Sequence, residues 1–592
     1  MWQAKKKLIV QQLNKKLSES LLTVVHINTM QATFLRTFPN AGLRLGNVSM
    51  LSGKDFNAKD FSGQDQPLLN ADLVTIEISL PDLMRKKVNF KNIAISNATI
   101  NVYVDRQGVY NTNIWKPSST SAQKETHVDF ENIALRNCSI NYQNLLTSHS
   151  AQATISKSKN ALYVNNDSIF VKANVSMVLK RAAYKSLQYN KPLEIEISSS
   201  ISIGDRDLVM QPLLLTINKM PFIIAGNINN YKSKPYLNVT CQVKIADLKM
   251  LAETLPDSLL AKVNNKATRG KLIIDGTAQG DISNGKLPYI NAQVRLYDAK
   301  CKLTKGPKFN NLEITANYTN GMQRNAEFSE VNIDNASFDI NDSQVVASGQ
   351  ITNFSHPYLN VKLAMDANLH DLSEHLANKL VSFQQGHLKG EFLLKGGLQQ
   401  PLTAKLFAGL IKKGELLATN VQLKHVMAGT IDCDTLYAVF SDACTIKKLN
   451  FRALDANVQA TGTLLAYKNL FAESPRLDFD GNINASYVDF YKWLSAFSYY
   501  DTSQQVKADT AKRLYYSINT NCSIDQLAID EFNMTYFKAQ VIINPLEIIL
   551  NNSSFNACQG EVFAGGMLRF NNSQVEFLRT QADIKPGCKL VF

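Results

Sequence analysis

Three groupings of side chains have the residue types for chemistry: a histidine pair with acidic neighbours, two glycine-rich stretches and eight cysteines. His370 and His375 stand five positions apart with Asp371 and Glu374 between them. Zinc on a helix takes two histidines at i and i+4 on one face, with a glutamate between them. The i, i+5 spacing turns the rings to different faces, so the cluster reads as a solvated helix start and no metal site is expected. Gly276-Thr277-Ala278-Gln279-Gly280 and Gly396-Gly397 lack the trailing Lys-Ser of a phosphate loop and the third glycine that opens a dinucleotide-binding helix. They read as turns.

The cysteines are Cys138, Cys241, Cys301, Cys433, Cys444, Cys522, Cys558 and Cys588, and none falls in a C-x-x-C pair. A zinc ribbon or thioredoxin-like centre is therefore disfavoured. Cys433 and Cys444 flank one strand-like run and are close enough in sequence to meet, but buried free thiols are the expected state in a large core. No G-x-S-x-G elbow is present, and the carboxylates are scattered singly rather than paired. The expectation is a chain that is not an enzyme and carries no cofactor.

The 592 residues include 63 Lys and Arg against 50 Asp and Glu, a net charge of +13. Nucleic-acid binding needs clustered cations with aromatics between them. Here the basic residues are dispersed. The denser groups are Lys5, Lys6 and Lys7 with Lys15 and Lys16, then Arg85 to Lys87, then Lys412 with Lys413. No nucleic-acid partner is expected, whereas the N-terminal group suits an anionic membrane surface, worth about 1 kcal/mol per basic residue. At 45% hydrophobic residues, with 27 glycines and 16 prolines, the chain is neither disordered nor collagen-like.

No run of about 18 apolar residues is present, and after Lys7 only Leu8, Ile9 and Val10 precede two glutamines, too few for a secretory signal. Leu8, Ile9, Leu13, Leu17 and Leu21 recur at helical spacing and predict an amphipathic N-terminal helix packed on the fold. Elsewhere period-two alternation dominates, as in Leu73-Val74-Thr75-Ile76-Glu77-Ile78-Ser79-Leu80, which predicts strands. Helical pattern returns only in short pieces: Leu248 to Leu260, Leu369 to Phe383 and Val488 to Ala496. Trp115, Phe34 and Phe38 are expected in the core.

Internal repeats organise the strands. Val88 to Asn101 returns forty positions later as Val128 to Asn141, with eight of fourteen pairs identical. In each copy the apolar phase shifts at Asn92 or Asn132 and again at Asn97 or Asn137, a sign of bulges or turns where asparagine accepts unusual backbone angles. Gly226-Asn227-Ile228 leading to Pro235-Tyr236-Leu237-Asn238-Val239 recurs as Gly349-Gln350-Ile351 leading to Pro357-Tyr358-Leu359-Asn360-Val361, with a looser third copy from Gly462. Gly270 to Gly276 matches Gly390 to Gly396 at a shift of 120. The fold class is therefore mainly β: an elongated array of antiparallel strands curled into a groove, in tandem units of about 120 residues. The expected divisions are 1–145, 146–265, 266–385, 386–500 and a partial unit over 501–592.

The N-terminal pattern of Gln12-Leu13-Asn14, Thr33-Phe34, Phe38-Pro39, Leu43-Arg44-Leu45-Gly46-Asn47-Val48, Leu80-Pro81-Asp82-Leu83 and Asp105-Arg106-Gln107-Gly108-Val109-Tyr110-Asn111 resembles the AsmA family of envelope proteins. Those elements lie in order over about the first 115 residues, and the later Gly-x-Ile and Leu-x-Val units are similar to AsmA-like repeats. The resemblance implies a β-groove lined with apolar side chains, held at the inner membrane and projecting into the periplasm of a diderm bacterium. It also implies phospholipid partners and a part in outer-membrane homeostasis. Family members carry a transmembrane helix ahead of the segment that begins here at Met1, and continue past the equivalent of Phe592. A fragment or trimmed chain is thus expected.

The candidate groove-lining residues are Ile93, Ile95, Ile100, Val102, Ile133, Leu135 and Ile140. They either fill a closed core or line an open trough that holds acyl chains, and alternation alone does not separate the two. The first arrangement suits a scaffold whose edges bind outer-membrane assembly proteins, the second a lipid-transfer protein.

Overall fold

The computed structural model describes residues 21–33, 40–61, 67–79, 90–114, 116, 127–165, 168–184, 187–254, 269–302, 308–370, 381–398, 404–425, 429–471, 476–498, 515–557, 560–571 and 574–584. Residues 1–20 of the expected amphipathic helix, with Lys5, Lys6, Lys7, Lys15 and Lys16, and also Phe34, Phe38, Trp115, His375, Cys558 and Cys588, fall outside them, whereas Leu21, the last apolar position of that pattern, is described and buried. Among the described residues the chain is mainly β, with twenty-nine strands from Val25–Thr33 to Gln574–Ile584 and only short helices. Contacts divide it into two compact units, Met1–Gly306 with Thr319–Arg324, and Pro307–Tyr318 with Asn325–Phe592.

In each unit strands pair with their sequence neighbours, and the alternation explains why: one face of every strand is apolar, so each strand extends the face of the one before it. Most pairs are antiparallel hairpins. Among the described pairings each unit also holds one parallel pair, Phe90–Val104 with His127–Asn144 in the first and Arg476–Asp489 with Tyr515–Ile529 in the second. A parallel pair needs a crossover connection of a dozen or more residues, and both have one. The first pair is the fourteen-residue repeat itself. Ile93 lies beside Ile133, Ile95 beside Leu135 and Ile100 beside Ile140, so the two copies form a ladder of like on like.

Asn97 and Asn137 occupy the left-handed region at φ 51° and 50°, as does Asn47 at 51°. A left-handed residue inserted in a strand resets its alternation. Ile93 and Ile95 before Asn97, and Ile100 and Val102 after it, consequently share one face despite their odd and even numbers. At Asn92 and Asn132 the backbone stays ordinary, but pairing slips nearby, between Glu77 and Ile78 and between Phe130 and Ile133.

The 120-residue match looks different once pairing is known. Gly270 and Gly386 both have φ near +140°, and so do Gly280 and Gly396, at +132° and +152°. Leu237 pairs with Gly280 and Leu359 with Gly396. The structural shift is therefore 116. Gly276, Gly280, Gly396 and Gly397, read from sequence as turns, lie inside the strands Arg269–Asp281 and Val381–Gly397. A Cβ on Gly280 would sit 2.7 Å from the guanidinium of Arg324, which packs there and donates to the Asp281 carbonyl.

Two of the three helical sequence patterns overlap a described helix. One helix covers Leu248–Thr254. Another covers Phe490–Ser498, since Asp489 ends the preceding strand and accepts the Lys492 N–H as a helix-start cap. Of the run from Leu369 to Phe383, the last three residues belong to the strand Val381–Gly397. No helix of the described residues is long and apolar enough to cross a membrane.

Candidate apolar face

Following register across the strands shows what their alternation builds. In the first unit one row runs Phe130, Leu162, Val171, Ile201, Met210, Gly226, Val239, Ala278, Ile290. It crosses nine strands without a polar side chain, about 38 Å at the usual spacing between strands. Every residue in it is partly exposed and none is buried. The adjacent row on the same face, Val164, Ile169, Ile203, Leu208, Ile228 and Leu237, is also wholly aliphatic. Residues one step along each strand point the other way and are mostly polar, as in the pairs Lys172 with Ser200, Ser176 with Glu196, and Gln242 with Asp275.

The second unit repeats the design. Ala336, Ala347, Leu363, Phe392, Gly414, Phe440, Cys444, Leu464, Phe479, Ile518, Ile543, Ile548 and Leu568 form one row across thirteen strands, again without a polar side chain. Of these only Phe392, Cys444 and Phe479 are buried. The helix Ala404–Leu410 lays Leu410 and Leu406 against Phe392 and Leu394, which closes the face locally. In the first unit Met250 and Leu251, from the helix Leu248–Thr254, do the same over Val243 and Leu272.

All seven sequence candidates lie on the apolar face of the first unit, in rows such as Val74, Ile95, Leu135 and Leu69, Ile100, Ile140. Here the face is filled. Ile93, Ile95, Leu135 and Ile140 pack against a cluster that includes Leu43 at 1% exposure and Cys138 at 0%. Ile100, Val102 and Ile133 are half-buried beside it. The uncovered stretch lies further along the chain, around Ile201, Val239 and Ala278, which sequence reasoning passed over. The alternation of Leu193–Ile203, LEIEISSSISI, is the signal that marks it.

Charge chemistry on the face is sparse. Burial pushes the Cys444 and Cys522 thiols up to about 11 and raises that of Cys433. Cys138, Cys241, Cys433, Cys444 and Cys522 are free. Among the described residues no group of three or more His, Cys, Asp or Glu is arranged to hold a metal ion.

The Asp-x-x-Gly-x-x-Asn stretch is a built turn. Asp105, 1% exposed, accepts the N–H of Gln107 and Val109 on Oδ1 and of Asn57 on Oδ2, at 2.8 to 3.1 Å. Burial acts to raise its pKa, but the backbone donors outweigh it and hold the carboxyl below its ordinary value. Asn111, fully buried, ties the turn back by donating to the Asn101 carbonyl at 2.8 Å. No family model, no curated protein and no solved structure matches this chain.

Proposed function

We propose that the chain is a non-enzymatic apolar-guest carrier of the AsmA type, shielding the acyl chains of phospholipid along its uncovered face. The observation that carries this reading is the row from Phe130 to Ile290, apolar at all nine positions and buried at none. Soluble proteins rarely leave so much contiguous apolar surface uncovered unless something binds it. Burial at about 25 cal/mol per Å² holds a hydrocarbon chain with no directional contact, so a guest could shift from strand to strand at little cost. A periplasmic setting at the inner membrane, with lipid moving toward the outer membrane, fits the resemblance of the N-terminal residues to that family.

The filled cluster around Leu43 and Cys138 favours a second reading, a scaffold that meets outer-membrane assembly proteins through its edges. Native mass spectrometry on protein purified from a bacterial envelope fraction separates the two. Bound phospholipid that disappears in an Ile201→Asp variant of unchanged circular dichroism is the expected result. A folded, lipid-free wild-type protein would overturn the carrier reading in favour of the scaffold.

A further inference from the structure

In the middle of the strands, polar side chains interrupt the apolar face of the first unit. The row carrying Ile93 and Ile133 continues as Asn160, Ala173 and Ser199, so two polar residues flank an alanine on an otherwise aliphatic face. Ser158 shares that face two positions before Asn160. Ser158 is 3% exposed and Ser199 7%. Part of this polar set serves the strands. Ser158 Oγ accepts the Leu135 N–H at 3.0 Å, and Asn160 Nδ2 donates to the Ile133 carbonyl at 3.1 Å and to Ser158 Oγ at 3.0 Å. Those bonds repair the ladder beside the slip between Phe130 and Ile133.

Two atoms are left over. Asn160 Oδ1 and Ser199 Oγ are buried and have no hydrogen-bond partner among the described residues. An alanine at 199 would remove one of these burdens, so neither the ladder nor the core accounts for the serine. The side chains of Ser158, Ala173 and Ser199 are smaller than those of Val171, Val175, Ile197 and Ile201, which flank Ala173 and Ser199 along the same strands. Next to Ser199 the neighbouring strand breaks register between Met210 and Leu214, where Pro212 offers no N–H.

Among the described residues no Lys, Arg, Asp or Glu stands on this face at these rows. Lys157 and Lys159 pair with Ser176 and Asn174 on the opposite side. A charged headgroup would be unpaired there. A neutral group that both donates and accepts is matched, with a hydroxyl donating to Asn160 Oδ1 and a carbonyl accepting the Ser199 O–H.

We propose that Asn160 and Ser199 form a polar notch in the apolar face that takes the uncharged hydroxyl and ester of a glycerol-ester lipid and sets where its acyl chain begins. This rests on the apolar-guest reading. The two Cα positions lie two strand spacings apart, about 10 Å, a span that a glycerol ester head bridges.

The test is a displacement titration of the full chain, with an alkyl fluorophore as reporter and monoolein or 1-octadecene as competitor. The Ser199→Ala variant should bind monoolein about fivefold more weakly, the worth of one neutral hydrogen bond, while 1-octadecene is unaffected. The same variant, free of guest, should melt no lower than wild type, because it loses only an unpartnered hydroxyl. Equal monoolein affinity in wild type and variant would overturn the notch and leave the carrier reading standing. Failure of both competitors to displace the reporter from wild type overturns the two together.

Discussion

Asn141 donates its side-chain amide to Oδ1 of Asn101 over 2.9 Å, across two parallel strands that carry the same sequence. The bond is the polar side of the repeat. Copies aligned in register put each asparagine beside its counterpart, and Gln152 on the next strand extends the ladder by donating to Asn141 Oδ1 at 3.1 Å. Asn101 also donates to the Pro67 carbonyl at 2.8 Å and is 3% exposed. Replacing it with alanine strands more partners than replacing Asn141. Asn101→Ala should therefore lower stability by about 2 kcal/mol and Asn141→Ala by about 1, read as shifts of the urea midpoint. Equal effects would mean that the Pro67 contact contributes nothing.

The Asp105 turn gives a pH dependence with a definite sign. Its carboxyl is held below the ordinary value, so the stabilisation it provides is present above the unfolded value near 4 and is lost as pH falls through the lower folded value. The protection of the Gln107 and Val109 amides, relative to their intrinsic exchange at each pH, should fall as pH drops below the ordinary carboxylate value. Asp105→Asn turns one acceptor into a donor facing N–H groups, and should cost about 1–3 kcal/mol at pH 7. An Asn variant as stable as wild type would show that the turn is held by Asn111 alone.

Gly226 and Gly349 are equivalent positions, with φ of +146° and +142°. A Cβ would meet the Asn238 carbonyl oxygen at 2.1 Å in the first and that of Asn360 at 2.3 Å in the second. Both the backbone angle and the contact oppose any side chain. Gly349→Ala should lower the thermal midpoint of the full chain, whereas Gly397→Ala, whose Cβ meets nothing within 4 Å, should leave it nearly unchanged.

Much of this architecture is legible from residue order, because alternation and like-on-like repeats act through local geometry. Ile93 and Ile133 are recognisable as counterparts before any pairing is known. Cover is another matter. Leu43 and Ile201 sit in equally alternating strands, yet one is 1% exposed and the other only partly buried, since exposure depends on residues remote in sequence. Register is hidden for a related reason. Shifts of 116 and 120 are both even, so either keeps the apolar phase, and only the partners of Leu237 and Leu359 choose between them. Asn160 and Ser199 escaped notice because each is a polar residue at an apolar-phase position, in step with Leu162 and Ile201, and only register shows that the two share one row.

The raised thiols make a chemical prediction. With pKa values of about 11 for Cys444 and Cys522, only about 0.1% of each is thiolate at pH 8. Native protein should leave both unmodified by a maleimide under conditions that label them fully in urea, as read by peptide mass spectrometry. Folding holds these protons above the unfolded value near 9, so stability should fall as pH rises from 9 toward 11. Rapid native labelling of Cys444 would mean that the row through Phe440 and Leu464 opens readily.

The two faces of a single strand offer the sharpest contrast. Ile201 lies in the nine-strand apolar row, and Ser202 lies on the opposite face between Phe170 and Val209. Aspartate at either place adds the same charge one residue apart, so effects on solubility, net charge and strand propensity nearly cancel. Only the charge at 201 enters the path of an apolar guest, where an unpaired carboxylate is costly to desolvate. Ile201→Asp should therefore reduce transfer of a fluorescent phospholipid between vesicles at least tenfold, a barrier of about 1.4 kcal/mol or more, while Ser202→Asp transfers at the wild-type rate. Equal loss in both variants would point to general destabilisation, and equal retention would place the guest elsewhere on the chain.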